Sequence, residues 1–255
     1  MQVRTLIIRA PGTNCELETR YTFEIAGSKA TIIPLYRILR HPTLVNEFHI
    51  LVIPGGFSFG DYLGSGTIFA LKLQSIKKNI ISFLEKKGMV VGICNGFQVL
   101  VRAGLLPDWS SCKFNQISLT FNKSNKFEAR WVKLKIINKT YDYITKMRKT
   151  TIQLPVAHGE GRFVTANSTI LTTLYKNKQV LFEYSKTTYP DNPNGSANNI
   201  AGIASVDGQV IGLMPHPERF YDKLLSPFSL NKEERDIPDG LLFIKSIVDY
   251  VREKI

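Results

Sequence analysis

The stretch Met89-Val-Val-Gly-Ile-Cys94-Asn-Gly-Phe-Gln-Val-Leu-Val-Arg-Ala-Gly104 constrains this chain more than any other. An apolar run ends at a cysteine between two glycines, and a run with helical spacing starts at once. Strand, sharp turn and helix in that order build a parallel α/β sheet. Gly92-x-Cys94-x-Gly96 has the form of a nucleophile elbow with sulfur in place of oxygen. Such a turn needs small neighbours, because bulk on either side would strike the adjoining chain. The turn pushes the sulfur outward at a helix N-terminus, where unpaired N–H groups and the helix dipole favour negative charge. A buried structural cysteine is the competing reading of Cys94 taken alone.

The flanking sequence repeats the pattern. Residues 3–8, 30–35 and 50–53 are apolar, strand-like runs, and residues 16–26 and 67–87 have helical spacing, the second as one long amphipathic stretch closed by Gly88. Further on, residues 116–122, 126–137, 151–156 and 179–184 alternate as antiparallel strands do. Residues 200–214 read as a hairpin turning at Asp207-Gly208, and residues 239–254 as a closing helix. Residues 185–199, rich in Pro, Asn, Gly and Ser, read as a surface loop. No repeat or long linker divides the chain, so residues 1–255 are expected to form one domain. The expected class is α/β: a central, mostly parallel sheet with helices on both faces, plus an antiparallel strand region.

Composition narrows the function classes. The first residues carry an apolar run too short for a signal peptide, and no segment reaches the length of a membrane span, so a soluble cytoplasmic protein is expected. Three cysteines (Cys15, Cys94, Cys112) without a C-x-x-C pair argue for a reducing compartment and against a metal site. A net charge of +12 raises the case for an anionic partner, but the lysines are scattered in short pairs such as Lys86-Lys87. A solvated basic surface, with neither nucleic acid nor membrane as partner, is the expectation.

Two further segments carry chemistry. In Met214-Pro-His216-Pro-Glu218-Arg219 the prolines stiffen the backbone around His216. Glu218, on the same side in an extended geometry, can hold one ring nitrogen and leave the other as a base. With Cys94 these complete a Cys-His-Glu set. Pro54-Gly55-Gly56-Phe-Ser-Phe-Gly60-Asp61 follows a parallel strand, where doubly wound folds place their sites. Gly55 or Gly56 could supply one oxyanion donor and the Asn95 amide the other. A phosphate loop is excluded there, since Asp61-Tyr62 stands where Lys-Ser/Thr is required. A rival base is His158 of Ala157-His158-Gly-Glu160-Gly161; its glycines make that segment flexible, so His158 and Glu160 are read as substrate or partner contacts.

Gly-x-Cys94-Asn-Gly with a distal Pro-His216-Pro-Glu218 resembles the class I, triad-type glutamine amidotransferases, whose fold is flavodoxin-like. Pro11-Gly-Thr-Asn14-Cys15, Gly55-Gly-Phe-Ser-Phe-Gly-Asp-Tyr-Leu63, Cys94-Asn-Gly-Phe-Gln98, Ala157-His-Gly-Glu-Gly161 and Met214-Pro-His-Pro-Glu-Arg219 are similar to one branch of them. That branch is the glutaminase subunits of phosphoribosylformylglycinamidine synthases in purine biosynthesis. The resemblance implies Cys94 as nucleophile, His216 as base and Glu218 as its orienter. Gly55, Gly56, Asn95, Gln98, His158 and Glu160 would form the oxyanion and substrate-binding surround, with L-glutamine as substrate. It also implies a synthetase subunit that uses ATP and Mg2+, a small third subunit, and no cofactor on this chain. The branch usually has Arg-Ala where Gly64-Ser65 stand, and often Cys-Arg where Ala129-Arg130 stand, which puts a contact through that first arginine in doubt.

Two other readings remain. A stand-alone Cys-His-Glu hydrolase, of γ-glutamyl hydrolase or peptidase type, would turn over at full rate without a partner. A basic binding module with a dead site would leave Cys94 inert to iodoacetamide and bind nucleic acid in a salt-sensitive way.

Overall fold

A computed structural model describes residues 1–110, 116–227 and 237–255; Cys112 lies outside the described residues. The strands are β1 (Arg4–Arg9), β2 (Lys29–Pro34), β3 (Ile50–Ile53), β4 (Met89–Ile93), β5 (Ile117–Thr120), β6 (Glu128–Ile136), β7 (Thr151–His158), β8 (Arg162–Thr165), β9 (Val180–Tyr184), β10 (Ile200–Ala204) and β11 (Val210–Leu213). Nine of them form one sheet in the order β2-β1-β3-β4-β11-β10-β9-β6-β7, while β5 and β8 pair separately. From β2 to β11 neighbours run parallel, and from β11 to β7 they run antiparallel. The parallel half has the 2-1-3-4 start of a flavodoxin-like sheet, with β11 taking the fifth place. β3 and β4 are buried along their whole length, as strands covered on both faces must be. β6 and β7 instead alternate buried with more exposed positions.

Helices cover the sheet in two groups. α1 (Glu16–Ile25) packs with the C-terminal α8 (Asp239–Arg252), and α3 (Thr67–Gln74) packs with α5 (Asn95–Arg102). Between α1 and α3 lies the short α2 (Leu35–Arg40). None of the helices among the described residues is long and apolar enough to cross a membrane.

Two expectations need correction here. The stretch 67–87 is two helices, α3 and α4 (Lys77–Glu85). At the break the Ser75 hydroxyl donates to the Lys72 carbonyl at 2.7 Å and Ile76 turns into the core. Serine that bonds back to a preceding carbonyl competes with helix continuation. The segment 185–199 is not simply a surface loop: Asn192, Asn194 and Ser196 are buried. Asn194 donates to the Gly161 carbonyl at 2.8 Å and the Tyr184 hydroxyl at 3.0 Å, so polar residues here form an interior brace. The sequence also hid α7 (Ser168–Lys176), capped by Asn167 accepting from the Ile170 amide, and the short α6 (Asp142–Thr145).

The elbow shows why two glycines flank Cys94. A Cβ at Gly92 would lie 2.6 Å from the Gly96 carbonyl oxygen, and one at Gly96 only 1.9 Å from the Ile53 carbonyl oxygen. α5 therefore starts in backbone-to-backbone contact with the ends of β3 and β4. Replacing Gly96 with Ala should cost about 2–3 kcal/mol, the upper range for overpacking, because backbone rather than a flexible side chain blocks the methyl. Urea unfolding of the G96A chain checks this, and a midpoint equal to the parent's would refute the close approach.

Candidate active site

Cys94 sits at the C-terminal end of β4 with φ 51° and ψ −106°, as the N-cap of α5. A non-glycine residue in that region stores roughly 1–3 kcal/mol of strain, which the surrounding packing must hold. β4 pairs with β11 in parallel register, Gly92 opposite Gly212 and Ile93 opposite Leu213. The Cys94 amide extends the ladder by donating to the Leu213 carbonyl at 2.8 Å. The chain beyond Leu213 therefore passes beside the cysteine. There the His216 amide donates to the Pro155 carbonyl of β7 at 2.8 Å, and the Cys94 thiol faces the Ala157 carbonyl of the same strand at 3.6 Å. β7 thus anchors both residues from the antiparallel half of the sheet.

His216 and Glu218 are fully buried, with Nδ1 2.6 Å from a Glu218 carboxylate oxygen. The expected extended geometry is not what delivers the carboxylate. Pro217–Arg219 is a single 3-10 turn, and the tight turn folds Glu218 back onto the ring. The Arg219 amide closes that turn on the His216 carbonyl. Nε2 is buried with no hydrogen-bond partner, as is the second Glu218 oxygen. Burial alone would push the imidazole's pKa down; Glu218 and then Cys94 outweigh it, with the nearby Cys15 adding to them, so His216 holds its proton well above the usual histidine range. The ring is oriented through Nδ1.

The glycine loop closes the third side. An antiparallel bridge joins Gly56 to Thr13, with the Phe57 amide on the Gly12 carbonyl at 2.9 Å and the Cys15 amide on the Gly55 carbonyl at 3.4 Å. Those bonds use the carbonyl of Gly55 and the amide of Phe57, and leave the amides of Gly55 and Gly56 outside the bridge. Gly55 has no room for a side chain, since a Cβ would stand 2.7 Å from His216 Cε1 and 3.1 Å from Cys15 Sγ. A cavity of about 240 Å³ opens here, lined by Asn14, Gly56, Phe57, Phe127, Ala157, His216 and Arg219.

Asn95 and Gln98 knit this loop to α5. The Asn95 side chain accepts from the Ser58 hydroxyl at 2.6 Å and donates to Asp61 at 3.1 Å and to Gln98 at 3.0 Å. Gln98 in turn donates to the Glu160 carbonyl. Burial, with Glu160 adding, raises the Asp61 carboxyl above its ordinary value. Arg102 of α5 donates to the Ser65 carbonyl at 2.9 Å, and its guanidinium lies 3.1 Å from where a Gly64 Cβ would be. A cation from α5 thus stands against the position where the resembling branch carries an arginine of its own.

His158 is neither flexible nor solvent-facing. It ends β7, is buried, and contacts the Asn122 Oδ1 through Nδ1 at 3.1 Å; that oxygen also accepts from the Gly161 amide at 2.9 Å. The ring lies where a Gly161 Cβ would fall, 2.3 Å from Cε1, so the glycine makes room for the imidazole rather than for motion. Glu160 faces the glycine loop, 3.4 Å from the Ser65 amide and 3.9 Å from Arg102. Sequence reasoning missed Asn122 and Asn194, the two amides that brace this segment, and gave no role to Cys15 or Arg219, which lie against the His216–Glu218 pair. The sequence signal for those last two was their place in the Asn14-Cys15 and Glu218-Arg219 words.

Among the described residues one group of three ligand-type side chains lies close enough to share an ion: Cys15, His216 and Glu218, within 4.8 Å of one another. The carboxylate and ring are already bonded to each other, and the Arg219 guanidinium donates to Cys15 Sγ at 3.0 Å, so a cation already covers the sulfur. This group does not fit a metal.

A strained cysteine at a strand–helix turn, a buried His-Glu pair and a glycine loop meet at one edge of the sheet. The CobB/CobQ-like glutamine amidotransferase domain family matches residues 2–251, and the chain belongs to it. Within that family the chain belongs with the PurQ subunits of phosphoribosylformylglycinamidine synthase. It is 38% identical to that subunit from Dehalococcoides mccartyi, over 99% of both chains, and 35% identical to the one from Archaeoglobus fulgidus, over 99% and 98%. The solved structure of PurLQS from Thermotoga maritima has a chain that superposes with a TM-score of 0.76 at 31% identity, over 98% of this chain and 99% of that one. A glutamine amidotransferase from the same organism, 17% identical with a TM-score of 0.60 over 99% of both chains, shares the fold.

Two histidines give this site opposite pH signatures. His158, driven down to about 3 by burial and by His216, stays neutral in the fold while the unfolded chain takes up a proton below about pH 6.5. Stability from His158 is therefore lost as pH falls from there. His216 is raised, so its contribution is fully present below the unfolded value and fades only as pH rises through its folded pKa. Between about pH 6.5 and 5, at about 1.4 kcal/mol per pH unit, the parent should lose about 2 kcal/mol more than an H158Q variant. Urea midpoints at the two pH values measure the difference, and parallel losses would contradict the burial of His158.

Proposed function

We propose that the chain hydrolyses L-glutamine with Cys94 as nucleophile, His216 as base and Glu218 as the carboxylate that fixes the ring, all carried by one domain. The observation that carries this is the buried His216–Glu218 bond at 2.6 Å with Nε2 free of any partner, beside the strained Cys94. With the thiol proton held on His216, Sγ attacks the side-chain carboxamide carbon. The oxyanion is received by the amides of Asn95 and of Gly55 or Gly56. The protonated imidazole gives its proton to the amide nitrogen, the C–N bond breaks and ammonia leaves. Water, activated by the same ring, then cleaves the γ-glutamyl thioester to glutamate and restores the thiol. Gln98, Glu160 and His158 shape the wall on which the substrate's amino-acid end rests.

The relatives are subunits of a synthase, so the ammonia is not the end product. It passes to a synthetase subunit, which activates the formamide oxygen of formylglycinamide ribonucleotide with ATP and Mg2+. A small third subunit completes the complex. This chain contributes the glutaminase step to purine biosynthesis in the cytoplasm and needs no cofactor for it. A thioester route also accounts for the fold: the elbow, not a phosphate loop, occupies the C-terminal edge of the parallel strands.

The assembled synthase carrying C94A should lose glutamine-dependent synthesis by at least a thousandfold and keep synthesis from ammonium chloride, because the nucleophile contributes only to ammonia release. Loss of both activities would remove Cys94 from the role. E218Q should lower glutamine-dependent kcat by about a hundredfold or more with little change in KM, since the amide still touches Nδ1 but cannot balance the imidazolium. A free chain that hydrolyses glutamine at the full rate of the complex would favour a stand-alone hydrolase instead.

A further inference from the structure

Cys15 is a second buried thiol in the site, unused by the mechanism above. It ends the turn between β1 and α1 and is completely enclosed. Its backbone is fixed from two directions: its amide donates to the Gly55 carbonyl, and its carbonyl accepts the Thr19 amide at 3.0 Å and the Thr19 hydroxyl at 2.6 Å. The thiol faces Asn14 Oδ1 at 3.2 Å. On one side Sγ lies within 4.8 Å of the His216 ring nitrogen and the Glu218 carboxylate. On the other it receives the Arg219 Nη2 at 3.0 Å. The sulfur thus bonds a guanidinium while lying close to the carboxylate of the pair.

Arg219 is the next residue after Glu218 and is only half-buried, held outward by Glu18 of α1 at 3.5 Å. One oxygen of Glu218 has no partner at all. A free guanidinium one residue away would find that oxygen, because buried carboxylate–arginine pairing is among the strongest hydrogen-bonded contacts a protein makes. The carboxylate would then be neutralised by arginine instead of by the imidazole. A sulfur is suited to preventing this: it is bulky, apolar, and a weak acceptor that satisfies one N–H without delivering charge. We propose that Cys15 is a positioning residue for the His216–Glu218 pair, its sulfur taking up the Arg219 guanidinium and keeping that cation off the carboxylate that holds the imidazole. The catalytic meaning of this device rests on the triad reading above; the device itself does not.

The charged and titratable groups that face His216 are Glu218 from its own turn, Cys94 from the β4–α5 turn, Cys15 from the β1–α1 turn and His158 from β7, with Arg219 and its counter-ion Glu18 behind the sulfur. The sign follows from charge: a guanidinium nearer to the pair disfavours the imidazolium, and removing the guanidinium favours it.

The test is the titration of His216 followed by NMR of the imidazole carbon-bound protons, on the whole chain. The chain has four histidines, so a His216 variant assigns the signal. Cys15→Ala should lower the His216 midpoint by at least about half a pH unit, about threefold in proton affinity. Arg219→Met should raise it, and the double variant should return it to the parent's midpoint or above. A parent midpoint in C15A, or a double variant as low as C15A, overturns the proposal. Should C15A fail to fold, C15V takes its place, filling the space with no acceptor for the guanidinium: a lowered midpoint that R219M in the same chain restores supports the device, and an unmoved midpoint sinks it. These readings need no activity, so an inert parent enzyme with the predicted shifts would fault the glutaminase reading and leave the role of Cys15 standing.

Discussion

The site depends on the parallel pairing of β4 with β11. That register, sealed by the Cys94 amide on the Leu213 carbonyl at 2.8 Å, brings together two segments more than a hundred residues apart in the chain. Everything chemical follows at the same sheet edge. β4 ends in a turn whose left-handed cysteine cannot relax, because Gly92, Gly96 and the Ile53 carbonyl leave no spare space around it. β11 ends in a proline-framed turn that folds a carboxylate back onto its own histidine. The antiparallel half of the sheet completes the arrangement through β7, whose Pro155 and Ala157 carbonyls hold the histidine amide and meet the cysteine thiol. Parallel strands place Cys94 and His216, and antiparallel strands fix them.

Burial sets the electrostatics of the pair. A histidine this deeply enclosed would ordinarily lose its proton readily, as His158 does a short distance away. His216 behaves oppositely because a carboxylate at 2.6 Å supplies a fixed counter-charge in a place where water cannot screen it. The two rings show how a single partner decides the sign: His158 has an amide oxygen from Asn122, and His216 has Glu218. Rigidity around both comes from buried amides rather than from apolar packing alone, since Asn122, Asn194 and Asn95 each tie two or more segments together.

The parts of this architecture that the sequence revealed are those written in local chemistry. Continuous apolar runs marked β3 and β4, glycines marked the elbow, and Asp207-Gly208 marked the hairpin that returns β11 to the sheet. The elbow and the proline frame were legible because each needs particular residue types at fixed spacing. What stayed hidden was set by tertiary contact. The break at Ser75-Ile76 carries no glycine or proline, and it is the Ser75 back-bond to Lys72 and the burial of Ile76 that explain it. The brace formed by Asn192, Asn194 and Ser196 reads as loop composition, because polar side chains that bond to one another look in sequence like polar side chains bonded to water. Glu218 was identified correctly as His216's partner for the wrong geometric reason, a 3-10 turn doing what an extended strand was expected to do.

The central claim is that Cys94 becomes covalently bound to the substrate. Mass spectrometry of the assembled synthase, acid-quenched while it turns over glutamine, reads this directly. The account predicts a γ-glutamyl group on the peptide that carries Cys94, lost on treatment with hydroxylamine. An adduct on the peptide that carries Cys15, or full turnover with Cys94 never modified, would contradict it.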